Sequence, residues 1–362
     1  MNSILIISVI LIIFIGILFI IDKFRLKKKE QGVSAILLTI GSSLVVGSFG
    51  DVWSNINQTI TTVLSESVDE VIKTNSAFSQ TNWVQLITGL LLMCVGVYLA
   101  YFVKNKLFIL NINAYFNKRI EPSNKDLGLS TFEFKEREID LIKIYKKNQI
   151  KDSYKEVLEI IEDKTISFSL ESRNFKRGYT GIAPIPFIMW LGLHLKREKI
   201  DEYFEYDKIQ SDKFYKLKKG GEYPQMKKEE CLKQNDSNTN EIVIAVSITK
   251  KITLEQMKQF SNAKKIELYI DEPKDNAIKY RSQLIEYAQK VATTIEDISA
   301  SASFKKIHLL VSSQSSLALE IGKRVDDQRM VEIICYFFDI KQDKNYPWGI
   351  TMNGENKGKI IV

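Results

Sequence analysis

Hydrophobic and polar positions divide the chain into two regimes. Residues 1–21 carry no charge, and 4–21 are almost entirely Ile, Leu, Val and Phe. A helix needs about 20 such residues to cross a hydrocarbon core, so a span is predicted over 3–21. A cleaved secretory signal would place basic residues before its apolar run. Here Met-Asn-Ser precedes it and five basic residues follow between Asp22 and Lys29, which is the pattern of a retained anchor. Residues 31–50 are also uncharged, though diluted by serines and glycines, and 83–103 form a third uncharged stretch. Trp83 stands at one end of the third, Tyr98 and Tyr101 near the other, and Lys104 and Lys106 just beyond, the boundary chemistry of a membrane interface.

Topology follows from charge. The basic run 23–29 and the basic region after 104 both belong on the cytoplasmic side, so the chain must cross outward between them, and only 31–50 can do so. The reading is a transmembrane region over 1–104 with spans at about 3–21, 31–50 and 83–103. The N-terminus and the segment 51–82 lie outside and the C-terminus lies inside; the alternative is a re-entrant or surface-lying 31–50. Within the middle span Ala35, Thr39, Ser43 and Gly47 recur every four residues, placing four small side chains on one face where helix backbones can approach closely in lipid. That face can pack within one chain or between subunits.

Beyond residue 104 the pattern changes to strand and helix periods. Residues 105–150 read as a connector of mixed charge with a helical stretch near 134–145, and 151–362 as an α/β domain. A polar linker at about 219–240 separates its halves, 151–218 and 241–362. In the second half, β-rich runs at 241–248, 266–270, 307–311 and 331–338 alternate with helical patterns at 254–260, 276–302 and 315–325. Such alternation implies a largely parallel sheet with helical crossovers.

Charge and composition sharpen this division. Residues 1–103 hold six basic and six acidic side chains, so the net charge of +7 resides in the remainder of the 362 residues. Neither a purely soluble protein nor a fully embedded transporter fits. Three cysteines and two histidines are too few for a disulfide framework or a zinc site, and no metal site or cofactor is expected. No phosphate-binding Walker loop, nucleophile elbow or zinc-protease motif occurs, so no catalytic residue is named and the chain reads as a non-enzyme.

The halves echo each other. Ala183-Pro184-Ile185-Pro186-Phe187-Ile188-Met189-Trp190-Leu191-Gly192 aligns with Ser313-Gln314-Ser315-Ser316-Leu317-Ala318-Leu319-Glu320-Ile321-Gly322. Each runs from a loop into a helix start and reaches a glycine six positions after Pro186 or Ser316. Tyr203-Phe204-Glu205-Tyr206-Asp207 follows the first copy and Tyr336-Phe337-Phe338-Asp339 the second. With Gly178-Tyr179-Thr180-Gly181 before the first copy and Tyr346-Pro347-Trp348 after the second, residues 165–352 resemble the SAVED family. That resemblance implies two fused Rossmann-like halves related to CARF sensors, in a bacterial cyclic-oligonucleotide antiphage (CBASS) system. The whole arrangement resembles transmembrane–SAVED effectors. Family members often carry proline in the second-half loop, where this chain has Ser313-Gln314-Ser315-Ser316.

Candidate ligand contacts lie at the strand ends. In open α/β sheets, ligands sit beyond the carboxyl ends of strands, where helix N-termini favour anions. The turn Ser313, Gln314, Ser315 and Ser316 supplies hydroxyls, an amide and backbone donors. Its first-half equivalent holds Pro184 and Pro186. Ser172, Arg173, Lys176 and Arg177 could add cations, Tyr179 a stacking ring, and Thr249 and Lys250 stand at another strand end. Serines at such turns most often cap their own helix, and it is the resemblance that favours ligand contact. His194 and His308 read as satisfied core residues, and Asp207 and Asp339 as turn caps or ion-pair partners.

The expected function is a membrane effector of the bacterial inner membrane. Its cytoplasmic sensor would bind a cyclic di- or trinucleotide made by a partner nucleotidyltransferase, form a ligand-induced homo-oligomer and disrupt the lipid bilayer. No DNA or RNA binding is expected, because the basic run 208–233 is interleaved with Asp212, Glu222, Glu229 and Glu230. The alternative is a receptor or scaffold that its spans merely localise. A hydrolase that degrades its own ligand is a weaker third reading.

Overall fold

The computed structural model describes residues 29–48, 82–129, 134–146, 150–230, 240–301 and 303–362. They fall into two units, Met1–Lys106 and Leu107–Val362. The span expected at 3–21 and the external segment 51–81 lie outside the described residues.

In the first unit, α1 (Lys29–Ser48) and α2 (Trp83–Asn105) pack against each other. Among the described residues one helix, over Trp83–Tyr101, is long and apolar enough to cross a membrane, with a mean hydropathy of 2.0. Gly32–Ser48 is apolar but shorter. At 1.5 Å per residue it extends only about 25 Å against a core of about 30 Å. The contact between the helices is built on glycine. A β-carbon at Gly41 would lie 2.7 Å from Gly89 O, and one at Gly89 would lie 2.8 Å from Gly41 O. Ser34 Oγ donates to Gly96 O at 2.7 Å.

The intrachain face therefore runs through Ser34, Leu38, Gly41 and Val45, one step around the helix from the row Ala35, Thr39, Ser43 and Gly47. Of that row, Ala35 is buried and Gly47 approaches the Gln85 side chain. The Thr39 and Ser43 hydroxyls turn back onto Ala35 O and Thr39 O of their own helix.

In the second unit the expected repeat is present but begins earlier than its sequence outline. The residues read as a connector supply two strands, β1 (Leu107–Asn113) and β2 (Phe134–Asp140), paired in parallel. Phe134 onward is thus strand, and helix follows only in the short α3 (Ile142–Lys146). The apolar run of β1, buried at every position, follows directly on the apolar helix α2, so its strand signal merges with that of the span. Next come α4 (Ile150–Glu171), β3 (Lys176–Ile182), α5 (Ile185–Leu195), β4 (Glu202–Asp207) and β5 (Lys213–Lys216). The sheet order is β2-β1-β3-β4-β5, parallel except for β5.

The polar linker contributes β6 (Lys227–Glu230), an exposed edge strand antiparallel to β8. The second half then repeats the plan: β7 (Glu241–Ser247), β8 (Lys264–Tyr269), α6 (Arg281–Ala300), β9 (Lys306–Ser312), α7 (Ser315–Lys323) and β10 (Glu332–Phe337). The helix expected over 254–260 is only a 3₁₀ turn at Lys258–Phe260. The hairpin strands β11 (Trp348–Thr351) and β12 (Ile360–Ile361) extend the sheet to the order β12-β11-β10-β9-β7-β8-β6. The order β8-β7-β9-β10 reproduces β2-β1-β3-β4, with α6 and α7 in the places of α4 and α5.

One hydrophobic cluster runs through both sheets, from Phe108 and Tyr179 to Ile350 and Met352. At its centre α5 and α7 pack on each other. Each also reaches the opposite sheet, α7 against β3 and β4, and α5 against β10.

Candidate ligand cleft

In each half the two central parallel strands end together. Ala114 N donates to Ile182 O at the ends of β1 and β3, and Ile248 N donates to Ser312 O at the ends of β7 and β9, both at 2.9 Å. These are topological switch points, where connections leave in opposite directions and open a crevice. A cavity of about 530 Å³ spans both, within the usual range for small-ligand sites. Tyr115 and Phe116 after β1, Gly181–Ala183 at the end of β3, Glu205 and Tyr206 on β4 and Lys208 just after it form one side. Thr249, Asp275, Asn276 and Ser313–Ser315 from the second half form the other. Larger grooves lie along α6, about 990 Å³, and beside the C-terminal ends of α5 and α7, about 760 Å³. Neither gathers strand carboxyl ends from both sheets.

The cleft brings together Thr249, Ser313, Gln314 and Ser315 from the expected contacts, with Pro184 and Pro186 at the adjoining helix start. Their roles differ from the sequence reading. Gln314 is buried and fully engaged: its amide accepts from Ile278 N at 2.6 Å and donates to Ile278 O at 3.0 Å and to the Tyr215 hydroxyl at 2.8 Å. Neither Pro184 nor Gln314, the N-cap residues of α5 and α7, makes a side-chain cap.

The cap of α7 comes instead from the other half. Glu205 on β4 accepts the Ser316 N–H at 2.8 Å and the Ser315 hydroxyl at 3.2 Å. Burial pushes its carboxyl above the usual range, and the bonds from Ser316 and Ser315 pull it partly back. Tyr179 is fully buried beneath these groups, its hydroxyl raised by burial and by the nearby Glu205 carboxylate. Its ring lies in the core and offers no stacking face to solvent.

Ser312 ties the second-half strand ends, its hydroxyl lying 3.0 Å from Thr249 Oγ1 and accepting from Lys250 N at 3.1 Å. The Lys250 side chain is exposed beside this junction. Lys208 lies over the Phe116 ring at 5.6 Å.

Ser172, Arg173 and Lys176 stand apart, at the other end of β3. Seven residues at about 3.3 Å each separate them from the cleft by roughly 20 Å. The Ser172 hydroxyl accepts from Arg177 Nε at 2.7 Å, and Arg177 pairs with Glu198 at 2.5 Å, so Ser172 and Arg177 bind within the fold, while Arg173 and Lys176 are exposed.

Sequence reasoning passed over Tyr115, Phe116, Glu205, Tyr206, Lys208 and Asn276. A signal existed in Tyr203-Phe204-Glu205-Tyr206-Asp207, where only Asp207 was weighed. Asp207 caps the turn after β4 through Ile209 N, Gln210 N and the Ser211 hydroxyl. His308 is a satisfied core residue, bonded to Tyr336 and Glu241.

The chain resembles the Acinetobacter baumannii Cap4 SAVED/CARF-domain containing receptor with the cyclic trinucleotide 2'3'3'-cAAA, at 12% identity and a TM-score of 0.48, over 74% of this chain and 56% of that one. It resembles the Moraxella osloensis Cap4 SAVED/CARF-domain containing receptor at 11% identity and a TM-score of 0.38, over 76% and 62%. The chain thus spans somewhat more than half the length of these receptors. No curated protein matches it. The sequence model of the SAVED domain, the SMODS-associated and fused to various effectors sensor domain, matches residues 161–352. The chain belongs to the SAVED family.

Proposed function

We propose that this chain is a membrane-anchored sensor that binds a cyclic oligonucleotide in the cleft between its two half-sheets. The observation that carries this reading is the convergence of both switch points on one cavity, with aromatic rings at Tyr115, Phe116 and Tyr206 and the cation Lys208 in its lining. Bases stack on rings and phosphates meet lysines, so a multi-base, multi-phosphate ligand suits this lining. A cyclic di- or trinucleotide from a partner nucleotidyltransferase is the class expected of a CBASS sensor, and the fused halves give one chain both walls of the site.

Binding favours an assembled state, because a ligand shifts only states that it binds with different affinity. Sensors joined side by side raise the local concentration of their membrane helices. The outcome is permeabilisation of the inner membrane and loss of the infected cell. The alternative, a localised receptor that recruits a partner without damaging the membrane, draws support from the short apolar length of α1.

The test is titration of the full chain in detergent micelles with a panel of cyclic di- and trinucleotides, following heat and particle mass, then dye leakage from liposomes carrying the chain. Binding, a rise in mass and leakage support the effector. Binding without leakage supports the receptor, and no binding by a folded chain overturns both.

A further inference from the structure

Helix N-termini at strand ends are the usual phosphate cradle of α/β folds, but at this cleft the one at α7 is taken inside the protein and the one at α5 is poor in donors. At α7 the first donors go to Glu205, which is only 5% exposed. A phosphate on the same donors would face a buried carboxylate, where like charges repel most strongly. At α5, Pro184 and Pro186 carry no N–H, and the N–H groups of Phe187 and Ile188 return to Pro184 O.

What the cleft wall offers at this point is therefore an acceptor. A carboxylate has about four lone-pair positions, and Ser315 and Ser316 occupy two of those on Glu205. The halves are unlike here. The matching place on β10 carries Phe337, stacked on Trp348 with ring centroids 5.0 Å apart, and Trp348 in turn packs on Phe187 of α5. Of these two matching positions only Glu205 lines the cavity; the exposed Lys208 lines it too, and the exposed Lys250 follows the lining residue Thr249.

Resting on the cyclic-oligonucleotide reading, we propose that Glu205 determines base specificity: it accepts a hydrogen bond from the exocyclic amino group of a ligand base, while Lys208 and Lys250 meet the phosphates. The sensor then selects adenine, guanine or cytosine over the same base without its amino group. A hydrogen bond to a charged acceptor, left unmade in a buried site, corresponds to about a ten- to hundredfold loss in affinity.

The experiment uses the full chain in detergent micelles and cyclic di- and trinucleotides in matched pairs: adenine with purine, guanine with hypoxanthine, cytosine with 2-pyrimidinone. For the pair that binds, the wild type is expected to favour the amino-bearing member by about tenfold or more. Glu205→Gln, which keeps an acceptor for Ser316 N–H, is expected to reduce that ratio at least about fivefold by removing the charge. Lys250→Met is expected to weaken both members equally and leave the ratio intact.

A wild type that does not discriminate within a pair overturns the assignment, independently of whether any variant folds. So does an unchanged ratio in Glu205→Gln. In both cases the ligand reading survives. Failure of the wild type to bind any member removes the ligand reading itself, and the assignment with it.

Discussion

Gly192 and Gly322 meet at the crossing of α5 and α7: a β-carbon at Gly192 would collide with Leu319 O, and one at Gly322 with Met189 O. The two glycines that mark the sequence repeat are thus the points at which its copies touch. Gly192→Val or Gly322→Val overpacks this crossing, and a loss of about 1–3 kcal/mol is expected. Urea unfolding of the variants measures it. Parent-like stability in either would mean that the crossing relaxes freely around a side chain.

Glu320 on α7 holds a second link between the halves. It accepts from the Tyr203 hydroxyl of β4 at 2.5 Å, while Lys323 and Arg324 pair with it at 2.6 and 2.5 Å. Glu320→Ala leaves these partners buried or half-buried without their acceptor, a change that typically costs about 3–5 kcal/mol. Burial alone would raise the Glu320 carboxyl, but Lys323, Arg324 and Tyr203 bring it below its ordinary value of 4.5. A depressed folded value means stability present above pH 4.5 and lost as pH falls through that lower value. Urea midpoints taken from pH 5 downward should fall for the parent and fall less for Glu320→Gln. Parallel curves would remove Glu320 from the acid response.

Gln314 and the basic residues near the start of β3 test the proposed placement of the ligand. Gln314→Ala strands Ile278 N and O inside the fold, and a loss of about 1–3 kcal/mol in stability is expected. Arg173→Ala and Lys176→Ala lie at the far end of β3 and should leave cyclic-nucleotide affinity unchanged in the titration. A clear loss of affinity in either would relocate the site.

In the first unit, Gly41→Leu or Gly89→Leu forces α1 and α2 apart, because each glycine faces the other's carbonyl oxygen. Reduced accumulation in the membrane is expected. Ser43→Leu lies off that contact and should accumulate normally while abolishing liposome leakage. Leakage at the parent level would place the intersubunit surface elsewhere.

The order of strands and helices in the second half was legible because polar turns separate its apolar runs cleanly. The first half was legible only from β3 onward, since the apolar run of β1 continues the hydrophobic signal of α2. The serine turn was found because strand, loop and helix follow each other in sequence. Its occupation by Glu205 was not, since that carboxylate arrives from about 110 residues away in the chain, and no local pattern records such a pairing. The placement of Ser172 and Lys176 at the other end of β3 was hidden for the related reason that closeness in sequence to Tyr179 says nothing about which end of a strand a residue occupies.

The exchange of helices between the sheets also limits how the sensor can move. With α7 seated on β3 and β4, and α5 on β10, the two halves cannot part like a clamshell without tearing open their common core. On the proposed reading, a ligand in the cleft acts on halves that keep their arrangement, so its arrival is expressed at the cleft rim and not by a wide closure. Such a sensor would work as a switchable docking face, its message readable only by whatever comes to rest against it.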